Sequence, residues 1–233
     1  MGRLYLKRNG KKAKRLTRDT ATAVEFSPAF SPDGKEVYYL TWSDDELGSI
    51  RKVSARGGRS KEVLATPGHY VDLSVSSDGE TLLFAKLSGS SLTNPHWGKN
   101  PGIYILNLSD EEAQFVSRRG RSPHFGPGDR IYVTERVSSA VGRGSDDASS
   151  ELISMNHDGE DVRTHASSPL ATVIRMSPAG KHVAYREAGR LYVAALPMTG
   201  RSIDLAAIEN TASGAAAYAT ERCLLYTSDA ADE

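Results

Sequence analysis

The chain has a single cysteine, Cys223, among 233 residues. No intrachain disulfide can form, so burial and backbone hydrogen bonds must hold the fold. Neither charge is in surplus: 29 basic and 29 acidic side chains cancel, and no global field draws the molecule toward nucleic acid or an anionic membrane. No apolar run approaches the roughly 18 residues that a membrane-crossing helix needs. The opening stretch MGRLYLKRNGKKAKR is charged and lacks the apolar segment of a signal peptide. What is present is ordinary globular composition, 39% hydrophobic and 25% charged, enough for one large domain or two small ones. The 21 glycines and 10 prolines break the chain into short apolar stretches, which points to turn-rich β structure.

Those stretches repeat. SPAFSPDGKEVYYL, DLSVSSDGETLLFA, SPHFGPGDRIYVTE and VIRMSPAGKHVAYR each join an apolar strand end, a tight turn containing glycine and an alternating strand. The residues entering the turns are Phe30, Val75, Phe125 and Met176, at steps of 45, 50 and 51 residues. A second motif interleaves with the first, in RLYLKRNGKKAKRLT, SIRKVSARGGRSKEVL, GIYILNLSDEEAQFV, ELISMNHDGEDVRTH and RLYVAALPMTGRSIDL. Each copy is a strand, a polar turn and a second strand. The unit is therefore four strands per 45 to 50 residues, the size of a propeller blade. A β-sandwich would space its strands evenly but gives no reason for self-similarity.

Phe-Ser-Pro-Asp-Gly followed by an alternating strand resembles the WD40-like repeat of TolB-type propellers. The longer text at residues 24–53, PGHY at 67–70, NPHWGKNPGIY at 94–104 and RTHASS at 163–168 resembles the N-terminal propeller of bacterial amidohydrolases. Those proteins carry a metal-dependent hydrolase domain downstream. The resemblance implies an all-β chain, a partial β-propeller of four-stranded antiparallel blades over residues 1–222, with about four blades plus incomplete ends. It also implies a periplasmic or secreted parent, and a divalent metal held by that parent's hydrolase domain rather than by this chain. Two copies depart from the turn pattern: GPGDR has lost a residue and SPAGK has lost the aspartate. Residues 203–205 are expected to end the fourth blade and residues 211–221 to begin a fifth. The last eleven residues, CLLYTSDAADE at 223–233, resemble translated sequencing-adapter read-through. That resemblance implies a truncated metagenomic fragment with a non-native tail.

In a four-stranded meander the first and third hairpins share one end of the blade. The second hairpin and the connection between blades share the other. The short turns at Asp33-Gly34, Gly57-Gly58, Asp78-Gly79 and Asp158-Gly159 take the first end. The long loops take the second, and bring Trp42, Asp44, Asp45, His69, Tyr70, His96, Trp97, His124 and His165 to one face. Function concentrates in long loops on a rigid scaffold, so these nine residues are the expected contact surface. Packing between blades is the alternative role for each of them.

Catalytic signatures are missing. No two histidines are separated by one residue, and neither His-Glu-x-x-His nor Gly-x-Ser-x-Gly occurs. No catalytic or metal-binding residue is therefore assigned. SDDEL at 43–47 lacks calcium-loop spacing and reads as a solvated acidic loop. The run at 6–18 holds seven Lys/Arg and no acid, without the aromatics or reader helix that nucleic-acid binding uses. It reads as a solvated hairpin with Leu4, Leu6 and Leu16 inward. Three functions remain open: a non-catalytic module shaping access to a downstream amidohydrolase-like domain, a free-standing TolB-like interaction propeller, and the gating propeller of a serine peptidase. Whether the parent is an enzyme is not decided by these residues.

Overall fold

The computed structural model describes residues 2–18, 23–88, 100–110, 112–138, 148–196, 202–209 and 216–218. The chain divides into two compact units, Met1–Phe125 and Gly126–Glu233. The first unit holds β1 (Tyr5–Leu6), β2 (Lys14–Arg15), β3 (Val24–Phe30), β4 (Glu36–Ser43), β5 (Leu47–Ser54), β6 (Lys61–Gly68), β7 (Tyr70–Val75), β8 (Thr81–Lys86), β9 (Gly102–Asn107), β10 (Gln114–Ser117) and β11 (Arg121–Phe125). The second holds β12 (Ile131–Ser138), β13 (Ala148–Met155), β14 (Arg163–Ser168), β15 (Val173–Met176), β16 (His182–Glu187), β17 (Arg190–Ala195), β18 (Ile203–Asp204), a short helix α1 (Leu205–Glu209) and β19 (Ala216–Tyr218). Strands β1 and β2 form a hairpin, and β3-β4-β5-β6 and β7-β8-β9-β10 are blades in chain order. In the second unit the sheets run β12-β13-β14-β18 and β15-β16-β17-β19. The all-β architecture of antiparallel blades expected from the repeat is present, with one parallel pair, β14–β18, at a sheet edge.

Burial sets each strand's place in its blade. Residues 37–41 of β4 and 81–85 of β8 are buried without a break, the pattern of a strand covered on both faces. On β4 the pleat explains it. Val37 and Tyr39 face a core with Leu4, Leu16 and Val53 from the hairpin side. Tyr38 and Leu40 face the opposite core, with Leu64, Leu82 and Phe84. The outer strand β6 is exposed at most positions. The second unit has its own core, in which Tyr132, Leu152, Ile174, Val183 and Tyr185 pack together.

The repeated turn is stabilised locally. Ser31 Oγ donates to Asp33 Oδ1 at 2.7 Å, Glu36 N donates back to Ser31 Oγ at 3.0 Å, and Lys35 N donates to Asp33 Oδ1 at 3.0 Å. Ser76, Asp78, Glu80 and Thr81 reproduce the same set. These bonds, led by that from Ser31, hold the Asp33 carboxyl at about 2. The turn therefore keeps its charged acceptor above the ordinary carboxylate range and loses it only as pH falls through that value. Where the aspartate is lost, at Ser177–His182, the serine bond to His182 N persists at 3.1 Å. Where a residue is lost, Asp129 takes the positive φ, 53°, that glycine holds in the other copies. The sequence departures thus change turn chemistry and leave the strand spacing intact.

The ends of the repeat differ from expectation. Ala216–Tyr218 does not open a fifth blade; it pairs antiparallel with β17 as the fourth strand of its sheet. Ile203–Asp204, expected as that fourth strand, pairs parallel with β14 instead. Burial explains the exchange: this placement puts Leu205 at 1% exposure among Tyr132, Leu152 and Ala166, with Ile203 packed beside them. Residues 223–233 lie outside the described residues.

Candidate functional site

The loop end of the first blade gathers three of the expected residues. After Trp42 the chain turns through Ser43–Glu46, where Glu46 N donates to Ser43 Oγ at 3.0 Å. The Trp42 indole N–H donates to Asp44 Oδ1 at 3.2 Å. The His69 ring lies 4.8 Å from the indole, tilted by 40°, within the range of favourable aromatic contacts. Trp42 and His69 are half-buried, while Asp44 and Asp45 are exposed on the same turn. Together they form an aromatic step with carboxylates at its edge.

Two glycines allow this contact. Gly48 pairs with Trp42 on one side and with Gly68 on the other. A Cβ on Gly48 would lie 2.2 Å from the Gly68 carbonyl oxygen. Strands β5 and β6 approach closely there, and β6 delivers His69 directly over Trp42. The Gly48→Ala variant is expected to push the strands apart, at a cost of about 1–3 kcal/mol for overpacking. Tryptophan fluorescence should show Trp42 losing its imidazole neighbour, with a matching fall in thermal midpoint.

The other expected residues are placed differently. Tyr70 is buried, its hydroxyl donates to the Thr66 carbonyl at 2.7 Å, and its ring meets Phe84 edge-on at 5.2 Å. Burial raises its phenol to about 12, so it stays a neutral core residue. His124 is a buried residue of β11, with Nδ1 3.1 Å from the Ser122 carbonyl oxygen. His165 sits on β14 near the short Asp158-Gly159 turn and not among the loops. The reason is that Arg163–Ser168 is a strand paired with β13, so the connection begins only beyond it. His96 and Trp97 lie outside the described residues.

His165 belongs to a polar network of the second unit. Its Nε2 is 2.8 Å from Ser154 Oγ, which accepts from Arg130 Nε at 3.0 Å. Arg130 Nη1 and Arg163 Nη2 both pair with Asp161 Oδ2, at 2.8 and 2.7 Å. Burial, followed by the two guanidinium charges, holds the imidazole below its ordinary value. Ser154 Oγ and His165 Nε2 share their hydrogen bond with burial favouring the uncharged ring. Because the folded state disfavours the proton, His165 contributes stability above the ordinary histidine range, and that contribution is lost as pH falls below it. A His165→Gln variant should flatten the fall in thermal midpoint between pH 7 and pH 5 seen with the parent protein. Ser154 is fully buried, so the serine–histidine contact does not present a nucleophile to substrate.

One feature had only a weak sequence signal. Tyr70, Phe84, Lys86, Tyr104 and Glu112 line a cleft of about 250 Å³. Tyr104 repeats the Tyr70 arrangement, its hydroxyl donating to the Asn100 carbonyl at 2.6 Å. The match between GHYV and GIYI was the available clue, but the two sit at different blade positions. Among the described residues, no group of three or more His, Cys, Asp or Glu is placed to hold a metal ion. No described helix is long and apolar enough to cross a membrane.

No protein-family model and no curated protein matches the chain. Solved structures do. TolB from Acinetobacter baumannii superposes with a TM-score of 0.60 at 18% identity, over 81% of this chain and 44% of its own. A putative TolB from Agrobacterium tumefaciens gives 0.62 at 18% identity, over 85% of this chain and 71% of its own. Oligogalacturonate lyase from Vibrio parahaemolyticus gives 0.52 at 16% identity, over 81% of this chain and 54% of its own. The chain thus spans less than half of the first of these proteins and just over half of the lyase. At such identities the likeness concerns architecture, and it establishes that architecture: this chain has the fold of a TolB-type β-propeller.

Proposed function

We propose that the chain is a non-catalytic propeller module of a larger bacterial amidohydrolase-like protein, contacting the parent's hydrolase domain and shaping access to its site. The observation that carries the contact role is the Trp42–His69 step, with its indole fixed by Asp44. A half-buried aromatic pair on rigid strands, beside exposed carboxylates, matches the anchor-and-rim pattern of interface hot spots. The acidic edge suits a partner surface presenting an apolar group flanked by Lys or Arg. The amidohydrolase parent is supported by the motifs at residues 24–53, 67–70, 94–104 and 163–168. The metal chemistry then belongs to the parent's hydrolase domain, and this chain supplies shape and contact.

Recovering the coding sequence contiguous with residue 222 tests the reading. A downstream His-x-His pair at a strand end, with further His and Asp ligands, is the expected result. A stop codon at that point favours a free-standing interaction propeller. A Gly-x-Ser-x-Gly elbow downstream makes the chain a peptidase gate.

A further inference from the structure

We infer that the N-terminal hairpin and the β5–β6 turn form a binding pocket for a compact, multiply charged anion of the di- or oligophosphate class. The pocket encloses about 290 Å³. Arg8, Lys11, Lys12, Lys14, Arg15 and Arg56 make its rim, and no described acidic side chain lines it. Its floor is apolar, formed by Leu6, Leu16 and Ala55. The molecule as a whole has a formal charge of zero, so this concentration of cations is a local feature and not the by-product of a basic protein.

The frame is fixed by backbone. Leu16 N donates to Leu4 O at 2.8 Å, Gly58 N to Leu16 O at 3.1 Å, and Arg18 N to Gly58 O at 3.0 Å. Gly57, at φ 87°, permits the close approach, since a Cβ there would meet Leu16 O at 3.1 Å. Arg8 Nη2 reaches across to the Ala55 carbonyl at 3.4 Å. The backbone thus places the six cationic residues around one hollow, where a bound polyanion would meet several of them at once. Three of the six are arginines, whose planar forks match phosphate oxygens. The Leu6–Leu16 floor accepts the organic part of a phosphate ester. No aromatic side chain lines the hollow to stack a base, which separates it from a single-stranded nucleic-acid platform.

Calorimetric titration of the intact chain with inorganic pyrophosphate tests this. Saturable binding is expected, weakening several-fold as salt rises from about 50 to about 200 mM. The double variant Lys12→Glu/Lys14→Glu should bind at least about tenfold more weakly with an unchanged melting curve, because both side chains are exposed. Absence of saturable binding, or equal affinity in that variant, overturns the proposal. Two sources of the phosphate are then separated with vesicles. Binding to phosphatidylglycerol-containing but not pure phosphatidylcholine vesicles, reversed by pyrophosphate, identifies a lipid headgroup; binding of pyrophosphate alone identifies a free phosphate compound. Tight binding of a single-stranded oligonucleotide that pyrophosphate does not displace also overturns it.

Discussion

Replacing Phe84 with alanine is expected to destabilise the first unit by about 3–5 kcal/mol, the range for removing a large aromatic side chain from a packed core. Phe84 is 0% exposed and lies between two tyrosines, edge-on to Tyr70 at 5.2 Å and stacked on Tyr104 at 6.1 Å. Both tyrosine hydroxyls are tied to backbone carbonyls, so neither ring can swing into the space without breaking a hydrogen bond. The site therefore cannot collapse, and both the transfer and cavity costs apply. In a chain of this length the thermal midpoint should fall by about 6–20 °C. Phe84→Leu, which retains most of the volume, should lose less than half as much. Equal losses for the two variants would show that the packing described is not what holds these rings.

Removing the Glu25 carboxylate should have the second large effect. Glu25 is buried and accepts from Leu4 N at 2.9 Å and from Thr17 Oγ1 at 2.8 Å. Arg3 Nη1 lies 3.8 Å from its other oxygen. One side chain on β3 thus fastens both arms of the β1–β2 hairpin to the first blade. Glu25→Ala leaves two buried donors without this acceptor, at about 1–3 kcal/mol each. The total expected is about 2–6 kcal/mol, and hydrogen exchange should locate it in the hairpin and not in the blades. Glu25→Gln keeps an acceptor oxygen and should restore part of the loss. Because the same hairpin forms the cationic pocket, Glu25→Ala should also weaken pyrophosphate binding, whereas Phe84→Ala should leave it unchanged at temperatures below unfolding.

The architecture was legible in the sequence because its signals are local and repeated. Ser31, Asp33 and Gly34 close their turn with bonds reaching no further than Glu36, so a short window contains the whole device. The placement of β18 is different in kind. Whether Ile203 joins β17 or β14 depends on where Leu205 finds a buried surface, and no window around residue 203 carries that information. The candidate site was legible in part for a related reason. Trp42, Asp44 and His69 flank turns whose end of the blade follows from strand count alone. Tyr70, His124 and His165 fall within strands β7, β11 and β14, where a shift of a few residues decides between loop and ladder. His165 lies at the opposite end because RTHASS belongs to β14, where His165 sits at a register shift between the paired Thr164 and Ala166. The Gly48–Gly68 approach, which brings Trp42 and His69 together, joins residues of different strands and needed the register to be seen.

The proposed contact role of the loop end is tested most directly by the affinity of the intact chain for the separately purified product of the coding sequence that follows it, which is proposed to be a hydrolase domain. Trp42→Ala is compared there with Asp33→Ala, at the opposite end of the same blade. An anchor of the kind proposed contributes on the order of 2 kcal/mol or more. Trp42→Ala should therefore raise Kd by about thirtyfold, while Asp33→Ala leaves it unchanged. Equal affinity for Trp42→Ala and the parent chain, with both fully folded, would contradict the assignment of that surface.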